Sequence, residues 1–288
     1  MKILVTGYSG FSGNIIGIFL NNMGHEVYAV VRRSTLPNNY ELKYKNIKII
    51  EADLKSIDLF PHTIDAVVHA AAISPAPGVL LKDYVDSNIM GTNFLVDYAK
   101  KAGAHTFIFL SSLSIYGDIS LEMVNPDTKI SNPNKYGLSK LMGEIIVKDN
   151  ISNFRSLSIR LPGIVGPKSV RNWLTNCREM VRNNEPITLY NPNSLFNNAV
   201  YINDLASFIL KLLISKWNGA QTVTVGASDA IPVIDVVESL ISGANSDSKI
   251  IIKSTEKKSF LICNLKAIQY GYSPMSMQIM VDTFVKDE

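Results

Sequence analysis

The 288-residue chain carries two cysteines and four histidines, and neither set is spaced to hold a metal. Cys177 and Cys263 stand far apart, and no histidine cluster completes a tetrahedral site, so no structural metal is expected. Charge is sparse as well. Charged residues make up 18% of the chain, 28 basic against 25 acidic for a net charge of +3. No block of like charge stands out, which leaves nucleic acid little electrostatic reason to bind. Long hydrophobic runs are also missing. Three apolar residues follow Met1-Lys2 before Thr6-Gly7, and no run approaches the roughly 18 apolar residues that cross a bilayer. The expected location is cytoplasmic, with no membrane partner. Repeats and low-complexity segments are absent, and an apolar content of 47% describes a packed globule rather than a disordered tether.

Short apolar runs recur in a βαβ rhythm. Residues 3–5, 26–31, 47–50, 66–69, 106–110 and 156–160 read as buried strands, and 15–20, 84–102 and 136–148 read as helices between them. Right-handed crossovers of this kind build an α/β fold with a doubly wound, parallel, Rossmann-type sheet. After Pro162 the rhythm breaks into shorter pieces punctuated by Pro167, Pro186 and Pro192. The chain therefore divides into a dinucleotide-binding domain over 1–165 and a smaller α/β substrate-binding region over 166–288, partly interleaved with the first. The tail from 232 onward reads as a helix, a strand and a final helix.

The first strand runs into Thr6-Gly7-Tyr8-Ser9-Gly10-Phe11-Ser12-Gly13 and then into a helix. Bare glycines let backbone approach a pyrophosphate there, and the helix N-terminus favours its charge, so Gly7, Gly10, Phe11, Ser12 and Gly13 are read as a dinucleotide cradle. Asp53-Leu54 and His69-Ala70-Ala71 lie at carboxyl ends of later strands, the ligand side of such sheets. Asp53 is placed to accept from an adenine amino group, and Ala70 and Ala71 let backbone pass close to the ribose, whereas His69 reads as a satisfied strand-end histidine rather than a catalyst. At the end of the second strand an NAD site wants a carboxylate. This chain has Arg32-Arg33 instead, which suits a 2′-phosphate, so NADP(H) is favoured over NAD(H).

Twelve tyrosines make about one chance Tyr-x-x-x-Lys match expected in a chain this rich in lysine, and Tyr44 with Lys48 is such a decoy. Tyr136-Gly137-Leu138-Ser139-Lys140 differs in position: it opens a helix after the fifth strand, whose end carries Ser112. A phenol titrates near pH 10 and is a poor base at neutrality unless a neighbouring cation favours its phenolate. Tyr136 is thus the candidate proton shuttle, Lys140 its cation, and Ser112 the donor that orients the reacting oxygen.

These motifs occur in order with Asn88-Ile89-Met90-Gly91-Thr92, Ser111-Ser112-Leu113-Ser114-Ile115-Tyr116-Gly117, Glu144 and Arg160-Leu161-Pro162-Gly163. Together they resemble the extended short-chain dehydrogenase/reductases, the NAD-dependent epimerase/dehydratase family. The resemblance implies nucleotide-sugar oxidation or reduction by a homodimer. It places Asn88 and Pro162 with the cofactor residues and Ser114, Asn172 and Asn197 with the substrate. Two departures narrow the chemistry. Leu113 and Ser114 stand where family dehydratases carry an acid and a base, and Asn197 stands where the family has an arginine for the substrate diphosphate. Simple hydride chemistry remains. The expected activity is reduction of a keto group, at C4 of a nucleotide-linked sugar, with Tyr136 donating the proton. The alternatives are a 4-epimerase retaining NAD+ and a non-catalytic NADP sensor, which would have less reason to keep Tyr136 and Lys140.

Overall fold

The computed structural model describes residues 1–32, 46–54, 60–150, 152–256 and 258–287. The chain forms two units that exchange segments. The first holds Met1–Gly117, Lys129–Arg160 and Ile209–Val223; the second holds Asp118–Thr128, Leu161–Phe208 and Thr224–Glu288.

The first unit is built on a sheet. Its strands β1 (Lys2–Thr6), β2 (Glu26–Val31), β3 (Ile47–Glu51), β4 (Ala66–His69) and β5 (Thr106–Ser112) are joined by Arg155–Leu161 and Ala220–Thr224. Across the sheet the order is Ala220–Thr224, Arg155–Leu161, β5, β4, β1, β2, β3, with parallel registers from β3 through β5. Ile3, Leu4, Val5, Ala66, Val67 and Val68 are all fully buried, which explains why the central strands read as unbroken apolar runs rather than alternating ones. Strand order reverses between β1 and β4, so their carboxyl ends open a crevice at the topological switch point.

Helix α1 (Phe11–Asn22) follows β1. Between β4 and β5 the sequence reading expects a single helix over 84–102. The structure instead begins at α2 (Leu81–Tyr84), passes through a π-helical turn at Val85–Met90, and continues as α3 (Gly91–Lys101). The Thr92 hydroxyl donates to the Asn88 carbonyl at 2.5 Å, a side-chain intrusion of the sort that perturbs a helical ladder. Helix α4 (Lys135–Lys148) is capped by Asn134, whose Oδ1 accepts from Gly137 N at 2.8 Å. The sheet's far edge is anchored by Arg155. Its Nε donates to Thr106 Oγ1 at 2.9 Å, and its guanidinium donates to the carbonyls of Leu212, Leu213 and Ser215 while lying 4.6 Å from the Trp217 ring centre. A cation on the last carbonyls of the Ile202–Ile214 helix satisfies acceptors that have no partner within it.

The second unit is made of small pairings. Gly163–Val165 runs parallel to Ala199–Tyr201, Ile187–Tyr190 to Ile250–Lys253 and Met123–Val124 to Leu261–Ile262, while Leu195–Phe196 pairs antiparallel with Ile231–Pro232. Helices Trp173–Arg182, Val233–Gly243 and Met277–Lys286 pack with them. The tail carries a strand at Leu261–Ile262 and a helix at Leu265–Gln269 beyond the elements expected from sequence. Both are too short to leave a periodic signal.

Candidate active site

The glycine turn sits at the switch point. Gly7 has φ +70°, and a Cβ there would lie 2.7 Å from Ala71 N; a Cβ on Gly13 would lie 2.3 Å from the Gly7 carbonyl oxygen. Glycine is therefore required twice over, once for a left-handed backbone and once for close packing of α1 on the turn. Gly10 is the N-cap of α1 and no side chain caps it, so the first-turn amides of Phe11, Ser12 and Gly13 are available to an anion. Above this turn an open cavity is lined by Gly7, Gly10, Val31, Arg32, Asp53 and Leu54, and by Ala70 to Ile73 from the end of β4. The lining suits a dinucleotide: amides for a pyrophosphate, alanines for a ribose, Asp53 for a base, Arg32 for the ribose substituent. Arg33 and the decoy Tyr44 lie outside the described residues. Lys48 is elsewhere, on β3, paired with Glu26 at 2.5 Å.

Ser112 ends β5, and its Oγ accepts from Ser114 N at 3.1 Å. Ser112 is also hydrogen-bonded to Tyr136. Tyr136 lies in the first turn of α4, whose approach is set by Gly137: a Cβ there would fall 2.1 Å from the Ser114 carbonyl oxygen. Lys140 follows one turn later, buried, with Nζ 4.2 Å from the centre of the Phe109 ring. Burial pushes the Tyr136 phenol above its ordinary value, with the Ser112 hydrogen bond opposing, and pushes the Lys140 ammonium down to about 7. The serine, the tyrosine and the lysine expected from sequence are thus brought together.

His69 is accounted for by its neighbours. Thr92 donates to the Asn88 carbonyl, so at 2.9 Å from His69 Nε2 its oxygen accepts. Thr6 Oγ1 accepts from Ala71 N at 3.2 Å and lies 2.7 Å from His69 Nδ1, so it donates there. The ring is fixed as the neutral Nε2–H tautomer, and burial lowers its pKa to about 3. It bridges β1, β4 and α3, where the sequence reading expects a satisfied strand-end histidine.

Three asparagines expected at the ligands make hydrogen bonds within the chain. Asn88 joins backbone to α4: its Oδ1 accepts from Ile73 N at 2.7 Å, and its Nδ2 donates to Ile73 O at 3.1 Å and to Ser139 Oγ at 2.9 Å. Asn172 caps the Trp173–Arg182 helix through Thr175 N and donates to Ile164 O, both at 2.9 Å. Asn197 holds the backbone of Ile262, accepting from its N at 2.8 Å and donating to its O at 2.9 Å. These amides support the fold, and the sequence offered no signal separating that work from ligand binding. Arg178 is buried in the second unit, donating to Phe284 O at 3.1 Å with its guanidinium 4.0 Å from the Phe284 ring centre. Ser114 is half-buried beside Gly137, and Pro162 is half-buried at the start of a second-unit segment. Tyr84, which the sequence reading did not single out, lies with its ring centre 6.1 Å from that of Tyr136.

A parallel sheet with a glycine turn at its switch point and a Ser-Tyr-Lys set beside it defines a nicotinamide-dinucleotide enzyme of the short-chain type. The comparisons agree. Residues 3–226 match the NAD dependent epimerase/dehydratase family, and the chain belongs to that family. It is 36% identical over 130 residues to a UDP-glucose 4-epimerase of Klebsiella pneumoniae, covering 41% of this chain and 94% of that sequence. It is 32% identical over 162 residues to the UDP-glucose 4-epimerase of Haemophilus influenzae, covering 52% of this chain and 48% of that one, so the chain matches about half the length of that relative. The fold is shared with UDP-glucuronic acid 4-epimerase from Bacillus cereus in complex with NAD, at TM-score 0.83, 22% identity, 99% coverage of this chain and 95% of that chain. The preference for NADP(H) expected from Arg32 and Arg33 gains no support from these relatives. No helix among the described residues is long and apolar enough to cross a membrane.

Proposed function

We propose that this chain is a nucleotide-sugar 4-epimerase acting through a transient 4-ketone, and that Ser112, Tyr136 and Lys140 are its catalytic residues. The observation that carries the reading is Tyr136 hydrogen-bonded to Ser112 with Lys140 buried one helical turn away. The family and the two 4-epimerase relatives support it, and Leu113 and Ser114 offer no second acid and base for removing water. When bound on the Gly7–Gly13 turn, oxidised nicotinamide would supply a hydride acceptor and a positive charge, both reversed on reduction. Ser112 holds the sugar O4 against Tyr136. Tyr136 takes the hydroxyl proton as the C4–H bond breaks and returns it when that bond re-forms on the opposite face. Lys140 supplies the cation that makes a buried phenol able to ionise.

A second reading, the NADPH-dependent 4-ketoreductase, is favoured by Arg32, which lines the cofactor cavity at the end of β2. The test is a panel of UDP- and dTDP-hexoses followed by NMR of the sugar. Inversion at C4 without net change in cofactor absorbance is expected. Stoichiometric loss of NADPH on a 4-keto sugar, with no inversion of a hydroxyl sugar, would transfer the assignment to the reductase. Tyr136→Phe is expected to lower turnover by at least about 100-fold with cofactor affinity nearly unchanged; wild-type turnover would remove Tyr136 from the mechanism.

A further inference from the structure

Behind Lys140 the first unit buries an ion pair that the proposed reaction does not use. Glu144 stands one turn beyond Lys140 on α4. Its carboxylate accepts from Arg160 Nη2 at 2.8 Å and from Arg160 Nε at 3.0 and 3.3 Å, and both side chains are 8% exposed. Arg160 Nη1 donates to the Tyr116 hydroxyl at 3.0 Å. Tyr116 closes the short helical turn that starts at Ser112, its N–H reaching Leu113 O at 3.0 Å. The pair thus joins α4, the Arg155–Leu161 strand and the serine turn. Buried pairs of this sort contribute little net stability compared with apolar residues of the same volume.

We propose that Glu144, gripped by Arg160 one helical turn from Lys140, is a positioning residue for Lys140: its fixed negative charge, acting at a distance along α4, keeps the lysine's charge beside Tyr136. This rests on the reading that Lys140 serves Tyr136. The groups that bear on Lys140 are Glu144 one turn on and Tyr136 one turn back along α4, neutral His69 from β4 and the Phe109 ring from β5. Glu144 is the carboxylate among them, and its charge opposes the burial that drives Lys140 toward its neutral form. Arg160 keeps that carboxylate in one place and partly offsets it.

The test reads Lys140 directly in the cofactor-free protein, by NMR titration of lysine labelled with 13C at Cε and assigned with Lys140→Arg. Glu144→Gln removes the negative charge and leaves Arg160, so the Lys140 midpoint is expected to fall by at least about one pH unit, a tenfold change in proton affinity. Glu144→Met with Arg160→Met removes both charges at similar volume and is expected to keep the melting temperature while lowering the midpoint less, by about threefold in affinity. Where a sugar is turned over, the alkaline limb of kcat/KM should move with the midpoint. An unmoved midpoint in folded variants overturns the proposal, and so does failure of both variants to fold, which would give the pair a purely structural role. Wild-type protein that turns over no sugar, yet shows the shifts, would sink the proposed reaction and leave the positioning of Lys140 standing.

Discussion

Lys140 has an ordinary pKa of 10.5 and is held down to about 7 by burial, which ties stability to pH. Between those values the unfolded chain binds this proton and the folded chain releases it, so the penalty for burying the ammonium is full below pH 7 and fades as pH rises. Lys140→Met should therefore stabilise the cofactor-free protein most at pH 6, with the gain shrinking by about 1.4 kcal/mol per pH unit above neutrality, as calorimetry at pH 6 and pH 9 would read. A gain that grows with pH would refute it. Asn197→Ala strips both partners from the Ile262 backbone and is expected to cost about 1–3 kcal/mol in urea unfolding. Unchanged stability with weakened sugar binding would instead return Asn197 to the substrate. At this scale the sequence was legible where chemistry restricts the residue type: a Tyr and Lys one turn apart after a strand ending in Ser have few structural uses in common. Asparagine was not legible, because an amide that caps a helix and one that binds a ligand are the same residue in the same kind of loop.

The elements explain which glycines matter. Gly13→Ala would drive a methyl to within 2.3 Å of the Gly7 carbonyl oxygen, forcing α1 away from the turn. The expected result is a stability loss of about 1–3 kcal/mol together with loss of dinucleotide binding in a titration. Gly24 is the control: its φ is +85° with nothing within 4 Å of a Cβ, so Gly24→Ala should cost about 1 kcal/mol of backbone strain and leave binding intact. Equal binding loss in both would mean that the close approach at Gly13 is not what the cofactor site needs. Strand β4 was readable residue by residue because a strand buried on both faces is one apolar run, and β2 because its buried valines and alanine alternate with half-buried Glu26 and Tyr28 before closing on an apolar pair. The π turn at Val85–Met90 was not, since it depends on Thr92 and Asn88 meeting groups distant in sequence, the His69 ring and the Ile73 backbone.

For the whole molecule the open question of assembly has a local answer to test. Leu138, Met142 and Ile145 are 47%, 42% and 42% exposed along one side of α4, and Leu81 and Val85 are 53% and 38% exposed on the neighbouring helical stretch. So much apolar surface on adjoining helices is expected to be covered by a second copy. Sedimentation should show a dimer that Met142→Lys converts to monomer, and a wild-type monomer at all concentrations would count against it. The two-unit division has a consequence of another kind. Ala220–Thr224 forms the sheet's outer edge beside Arg155–Leu161, yet about sixty residues separate the two strands, most of them in the second unit. A chain emerging from the ribosome therefore presents Arg155–Leu161 as a bare edge, open to pairing with other nascent chains, until residue 224 has cleared the exit tunnel. Stalling translation in that interval would expose the molecule at its most aggregation-prone.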